Sequence, residues 1–515
     1  MRKKRLRVFY LFTLLIFSLG VLLFLTGSAL SGPASPDKLV IAYPTEPDAL
    51  LPTDTSYGVT SYPISNNIFE RLVDLSPEGK FEAGIASWEV LDGGKEFLFT
   101  IRKGITFHSG DPLTAKDVEF THNRAWEKTA TYKRYMRNFD RLEVIDDYHV
   151  KFIFKRPDVL FIPTRIAYVT SKSYYDRVGE EQFIKKPVGT GPYKFVAWKP
   201  GEYIDIERND DYWGEKPQVK SARFVFAKED TTRVAMLKAG EADIIMSTPY
   251  PLVKDIETAG FKTVRLPTHP PCGVQFHNNN PNVPWYKRKV RLAIAYAIDK
   301  DAIVNDLFHG IPSGYPRLAP WELGYDPELK QYPYDPKKAK ELLAEAGYPK
   351  GFEMPLYYFA GRSYGQKETA EAVALYLNAV GIRCKIQGIE AAQMLAKVRA
   401  WHNDPNTEYV GVVTAPMAFL PDPTEALTTA YLSTGWGSMY FNKEVDPVIE
   451  EASVTMDPEK RGELIKKAVR MLHEDVASVQ IWANTSVYSM KPNIDFTPTL
   501  KNREPLMLLK DVKIK

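Results

Sequence analysis

The sequence predicts an α/β fold built as more than one lobe, and three observations carry that expectation. Short β-rich runs alternate with punctuated amphipathic helices through both halves of the chain. At 515 residues the chain exceeds one ordinary hydrophobic core, so two or three domains are expected. Hydrophobic residues at 44% and charged residues at 25% describe a globular chain able to bury sizeable cores, not a disordered one. No internal repeat and no long Ser/Gly linker marks a domain boundary.

The elements follow in order. Arg2, Lys3, Lys4, Arg5 and Arg7 precede an apolar run from Val8 to Leu25, and small residues follow at Gly27, Ser28, Ala29 and Ser31. That order of charge, apolar core and small residues is an export signal over residues 1–31, with cleavage after Ala29 or Ser31. The run is near membrane-spanning length, so an uncleaved N-terminal anchor is the alternative. Without this leader the formal charge of +3 falls by five to −2, which gives no electrostatic case for nucleic acid.

Strand-like alternation or β-rich composition marks Leu39 to Tyr43, Glu96 to Ile101, Val150 to Phe154, Tyr203 to Glu207 and Arg223 to Phe226. Helix punctuation is equally explicit. Thr114 and Asp117 form a capping box, because hydroxyl and carboxylate can each satisfy a free N–H of the first turn. Asp335-Pro336 supplies an N-cap and an N1 proline. The stripe Ala339, Leu342, Leu343 and Ala346 follows, and Gly347 ends it. Asp457-Pro458 repeats the device before Leu464, Ile465, Ala468, Val469 and Leu472.

Val188-Gly-Thr-Gly-Pro-Tyr193 joins a glycine turn to an aromatic strand. A phosphate loop would need Lys-Ser/Thr and a helix N-terminus after the glycines. Here Pro192 removes an N–H and a strand follows, so the glycines read as architectural.

This segment, within Lys186 to Trp213, resembles the signature of the extracellular solute-binding proteins of bacterial ABC transporters. The relevant family includes oligopeptide-, dipeptide- and nickel-binding members. Three further blocks are similar to it in the same order: Phe97 to Val118 (with Arg102-Lys-Gly and Phe107-His-Ser-Gly), Thr232 to Ile244, and Val290 to Lys300. Ser109 replaces the usual acidic residue. The resemblance spans about Leu39 to Pro492.

It implies a type II periplasmic-binding-protein-like fold, with two lobes, a hinge and an extra inserted domain. Residues 36–76, 188–272 and 479–515 would form a discontinuous domain I, 77–187 the inserted domain II, and 273–478 domain III, the second lobe. Ligand would be held in the cleft between lobes. The implied protein is a periplasmic monomer without cofactor. It captures a peptide or other small solute and passes it to a membrane permease driven by a separate ATPase. Many relatives carry a lipid-modified cysteine after the apolar run, but Leu25-Thr-Gly-Ser28 has serine there, so lipid anchoring is not expected. The only cysteines, Cys272 and Cys384, are compatible with a disulfide or with two separate thiols.

Four chemistries compete. Gly361-Arg-Ser-Tyr-Gly365 satisfies G-x-S-x-G, with a strand from Met354 to Phe359 before it and a helix from Glu368 to Val380 after it. Ser363 as nucleophile, His473 as base and Asp446 as its orienter follow in hydrolase order. Against this, His473 falls inside a regular amphipathic helix and no oxyanion-hole segment is evident. Metal binding is raised by nickel-carrying relatives, but the eight histidines are scattered, leaving His277, beside Phe276 and Asn278, as a lone candidate.

Peptide-binding relatives place a carboxylate for the ligand ammonium just ahead of an acidic-Pro pair. Here the pair is Asp422-Pro423 and the family spacing puts Phe419 at that position, within Ala415-Pro-Met417-Ala-Phe-Leu-Pro421. Asp422 either substitutes or caps the next helix. A sugar or other weakly charged solute would need only aromatic walls and scattered donors. Tyr57, Tyr62, Phe276, Trp401, Met417, Phe419, Trp436 and Trp482 are the candidate walls, with His277 and Asn278 beside them and Arg399 for a ligand carboxylate.

Overall fold

A computed structural model describes residues 37–54, 61–76, 81–129, 132–133, 136, 138–162, 168–311, 317–360, 365–390, 393–414, 422–501 and 504–515. The leader, Tyr57, Ser363, Met417 and Phe419 lie outside the described residues.

The expected strands form, and their partners come from far along the chain. Leu39–Tyr43 lies parallel to both Ser221–Phe226 and Ile244–Ile245. Asp243 fixes this junction of distant segments, because its carboxylate accepts the Val40 N–H at 2.8 Å and pairs with Lys491 at 2.8 Å. The hairpin Tyr193–Lys199 with Tyr203–Arg208 extends the sheet on one side. Its apolar face is the core of Ile41, Ile64, Phe69, Tyr193, Phe224 and Tyr488.

At the other end of the same ten-stranded sheet, Phe352–Ala360 runs parallel to Ile382–Glu390 and Val410–Thr414. A second core lies there, with Val274, Trp285, Ile294, Leu343, Leu356 and Trp482.

Two long strands, Lys262–Phe276 and Ser478–Met490, cross from one core to the other as an antiparallel pair. Val264 and Tyr488 pack with the first core, whereas Val274 and Ile481 belong to the second. Their register slips between Pro267 and Pro271 and again between Cys272 and Gly273. Between the paired positions Pro267/Thr485 and Pro271/Ala483 one strand advances four residues and the other two. Proline donates no ladder hydrogen bond, so the break falls where the sequence is Pro-rich.

A separate antiparallel sheet has the order Ala86–Leu91, Glu96–Ile101, His149–Phe154, Phe139–Asp146. It packs its own core, in which Phe97 meets Phe154 and Phe99 meets Phe152, both edge to face at 5.7 Å. A fourth core lies among the helices Thr424–Ala430, Asp446–Ala452 and Pro458–Glu474, through Leu427, Ile449, Ile465 and Leu472.

The helix starts follow the expected chemistry. The Asp117 carboxylate accepts the Thr114 N–H at 2.9 Å, and Asp335 and Asp457 accept from Lys338 and Lys460 N–H at 2.8 and 2.7 Å. Ala339, Leu342 and Leu343 are buried, as are Ile465, Ala468, Val469 and Leu472.

The glycine signature is structural. A Cβ on Gly189 would stand 2.0 Å from the Ile68 carbonyl oxygen, and one on Gly191 would stand 2.7 Å from that of Asn67. Only glycine permits this contact between backbones. The His108 ring locks the turn: Nε2 lies 2.9 Å from the Gly191 carbonyl oxygen, and the Gly189 N–H donates to Nδ1 at 3.4 Å. Because that N–H can only donate, Nδ1 is the acceptor and Nε2 carries the hydrogen. Two of the sequence blocks therefore dock directly on each other.

Cys272 and Cys384 are both free. Cys272 is buried in the long crossing strand, and burial pushes the Cys384 thiol up to about 12. The disulfide alternative is thereby set aside.

Candidate functional site

A cavity of about 700 Å³ lies between the separate antiparallel sheet and the helical layer. Its volume falls within the range of about 300–1,000 Å³ typical of small-molecule sites. Arg156 and Leu160, just after the strand His149–Phe154, form one wall. The opposite wall comes from Glu425, Thr428 and Thr429 on the helix Thr424–Ala430, and from Trp436 in the loop beyond it. Glu450 and Glu451, both exposed, line its edge.

The local sequence explains this wall. Glu425, Thr428, Thr429 and Leu432 recur at spacings of three and four, so they share one face of the helical turn. Thr428 returns its hydroxyl to the Thr424 carbonyl at 2.9 Å. Asp422 is fully engaged in positioning this helix. One carboxylate oxygen accepts the Thr424 N–H at 3.0 Å and its hydroxyl at 2.6 Å; the other accepts from Arg461 Nε at 2.9 Å. It holds the first residue of the helix from the position before the N-cap, Pro423.

Of the residues expected from sequence to line a site, Trp436 reaches this cavity. Phe276 and Trp482 are each 1% exposed and belong to the second core, where Trp482 Nε1 donates to the Thr369 hydroxyl at 3.1 Å. Asn278 clasps the backbone of Phe441, accepting its N–H at 2.7 Å and donating to its carbonyl at 3.3 Å. Trp401 packs on Tyr357 and Tyr409, at 5.1 and 4.5 Å between ring centroids. Arg399 is exposed on the helix Met394–Asn403. Tyr62 is half-buried beside Tyr168, 6.2 Å away, against the first core. Tyr57, Met417 and Phe419 fall outside the described residues.

His277 is completely buried, 5.4 Å from the Phe441 ring, and burial depresses its pKa to about 4. It is therefore a neutral packed imidazole at physiological pH. Among the described residues no group of three or more His, Cys, Asp or Glu is arranged to hold a metal ion.

The hydrolase alternative finds its named residues occupied elsewhere. Asp446 accepts the Ser433 N–H at 2.9 Å, and His473 stacks flat on Tyr332 with 4.6 Å between centroids. Burial also depresses the His473 pKa to about 4. Ser363 lies outside the described residues.

Sequence reasoning missed Glu425, Thr429 and Arg156. The first two carried a readable signal in their helical spacing after Asp422-Pro423. Arg156 carried none, because its place opposite that helix is a matter of tertiary packing.

Comparison with known proteins agrees with this architecture. The chain is 29% identical over 451 residues to the glutathione-binding protein GsiB of Escherichia coli K12, covering 85% of this chain and 87% of that protein. It is likewise 29% identical over 477 residues to a dipeptide-binding protein of the same organism, with 85% and 87% covered. Among solved structures, the periplasmic binding protein DppA of Helicobacter pylori, in complex with the peptide STSA, superposes with a TM-score of 0.72 at 25% identity. That match covers 93% of this chain and 98% of DppA. HbpA2 of Haemophilus parasuis superposes with a TM-score of 0.82 at 24% identity, covering 93% and 100%, and supports the fold alone. The profile described as bacterial extracellular solute-binding proteins, family 5 middle, matches residues 83–438, and the chain belongs to that family, as the solute-binding component of an ABC importer.

Proposed function

We propose that this protein captures a peptide-like or other small organic solute in the cavity between Arg156 and the helix Thr424–Ala430, and releases it to its permease without chemical change. The observation that carries the reading is the cavity itself, whose two walls flank separately packed cores, that of Phe154 and Phe161 on one side and that of Leu427 and Ile449 on the other. A solute there touches both sides at once, so it favours the arrangement in which they stand close. The names of the relatives support a peptide-like cargo, since glutathione and short peptides are small amides. Trp436 and the threonines supply an apolar face with hydroxyls near it, which suits such a cargo and also suits a sugar.

The presence of several separate cores supports a division of labour within the chain. Residues 36–76, 188–272 and 479–515 act as one body, 77–187 as an inserted second, and 273–478 as the opposing lobe. The paired strands Lys262–Phe276 and Ser478–Met490 would serve as the hinge, with the slip at Pro267 to Pro271 as its compliant point. The basic and apolar leader of residues 1–31 directs export to the periplasm and is then removed.

A thermal-shift screen of the leader-deleted protein tests the cargo class directly, because a ligand that binds the folded state raises its stability. Di- to pentapeptides are expected to raise Tm. A rise with oligosaccharides or nickel chelates instead would reassign the cargo.

A further inference from the structure

One side chain crosses between the two bodies that flank the cavity. Met456 lies in the connection between the helices Asp446–Ala452 and Pro458–Glu474, yet it packs against the core of the separate antiparallel sheet, which holds Phe97 and Phe154. Its seat is the tight turn Asp92–Gly94, where Gly94 is buried and a Cβ added to it would overlap the Met456 thioether. An apolar residue just before an N-cap ordinarily packs on the fourth residue of its own helix. Here the N-cap is Asp457 and the fourth residue is Arg461, whose guanidinium donates to the Met456 carbonyl oxygen at 2.9 Å. The thioether crosses instead to the other body. Its unbranched, polarisable chain suits such an irregular seat, and its apolar surface gains by leaving water there.

Both ends of this contact are tied to the cavity walls. The Gly94 carbonyl accepts the Asp158 N–H at 3.1 Å, within the segment that carries Arg156 and Leu160. On the other side Arg461 pairs with Asp422, which holds the Thr424 N–H at the start of the opposite wall's helix. Among the described residues the cavity lining ends at Val454, so Met456 stands just outside it.

We infer that Met456 is a positioning residue: seated on the turn Asp92–Gly94, it holds the two cavity walls together in the absence of solute and so sets affinity without touching the solute. The inference rests on the reading that these walls close on the solute, and adds a contribution to closure that no solute supplies. The apparent dissociation constant is the intrinsic one divided by the fraction of protein in the binding-competent arrangement. Loss of the Met456 contact lowers that fraction, and therefore weakens every solute by the same factor.

The test compares small-angle X-ray scattering of the leader-deleted protein, without any solute, as wild type, Met456→Asp and Met456→Leu. Met456→Asp is expected to have the larger radius of gyration. Met456→Leu keeps an apolar side chain and is expected to match the wild type. Met456→Ala carries the expectation of Met456→Asp if that variant fails to fold. Pools of mixed-sequence dipeptides and of pentapeptides are then compared by the concentration giving half the maximal thermal shift. Both are expected to weaken by a common factor of at least about five in Met456→Asp. A folded Met456→Asp as compact as the wild type overturns the inference, as does undiminished action of either pool on it. If neither pool acts on the wild type, the peptide reading fails, and the scattering comparison, which needs no solute, still decides the role of Met456.

Discussion

Asp422 and Arg461 form a buried ion pair at 2.9 Å beneath the helix Thr424–Ala430, with side chains only 6% and 11% exposed. The same guanidinium also donates to the carbonyls of Thr455 and Met456, at 2.7 and 2.9 Å. One arginine therefore ties the cavity helix to the start of the helix Pro458–Glu474.

Arg461→Ala should accordingly destabilise the protein by about 3–5 kcal/mol, since it strands a buried carboxylate. Denaturant unfolding monitored by tryptophan fluorescence measures this. A loss below about 1 kcal/mol would show that the pair is not holding the helix.

The glycine signature gives a second expectation. Gly189→Ala forces a Cβ to 2.0 Å from the Ile68 carbonyl oxygen, a contact with backbone that cannot rotate away. It should cost at least about 1–3 kcal/mol, the usual range for overpacking, and lower Tm visibly. Gly201→Ala, at a turn with φ of +76° and open space around it, separates the two causes: its cost is conformational only, about 1 kcal/mol.

His277 makes stability depend on pH. Its pKa in the folded state is near 4 because burial disfavours the cation, against about 6.5 when unfolded. The unfolded chain thus binds the extra proton first on acidification. Stability from this residue is complete above about pH 6.5 and is lost as pH falls toward 4. Glu322 acts in the opposite sense, since burial raises its pKa to about 8 and stability it contributes at low pH is lost as pH rises from about 4.5 to 8. Comparing His277→Leu with the wild type isolates the first effect. The variant should show a flatter fall in Tm between pH 6.5 and 4; an unchanged profile would remove His277 as the cause.

The G-x-S-x-G coincidence is also testable. Ser363→Ala should leave solute affinity within about twofold, and neither form should turn over an ester or peptide. Hydrolysis abolished by this substitution would reverse the assignment.

Much of the fold was legible because its signals are local. The punctuation Asp335-Pro336 and Asp457-Pro458, the alternation around Leu39 to Tyr43, and the glycines at 189 and 191 each state a backbone requirement within a few residues. The cavity was less legible, because its walls meet only after packing. Phe276 and Trp482 looked like candidate walls by side-chain type, yet their strands place both inward in the second core, where Trp482 meets Phe308 and Thr369. Glu425 was missed because Arg156 and Leu160 come to stand across from its helix only in the packed fold. Aromatic composition alone does not distinguish a core from a cleft.

The most direct measurement is a calorimetric titration of a short free peptide into the leader-deleted wild type and into Thr429→Trp, with the folded state of both verified by unfolding. The account predicts saturable binding to the wild type and at least about a tenfold loss in the variant, because an indole would occupy the space between Arg156 and the helix Thr424–Ala430. Equal affinity in the two proteins would contradict it and move the solute elsewhere in the molecule.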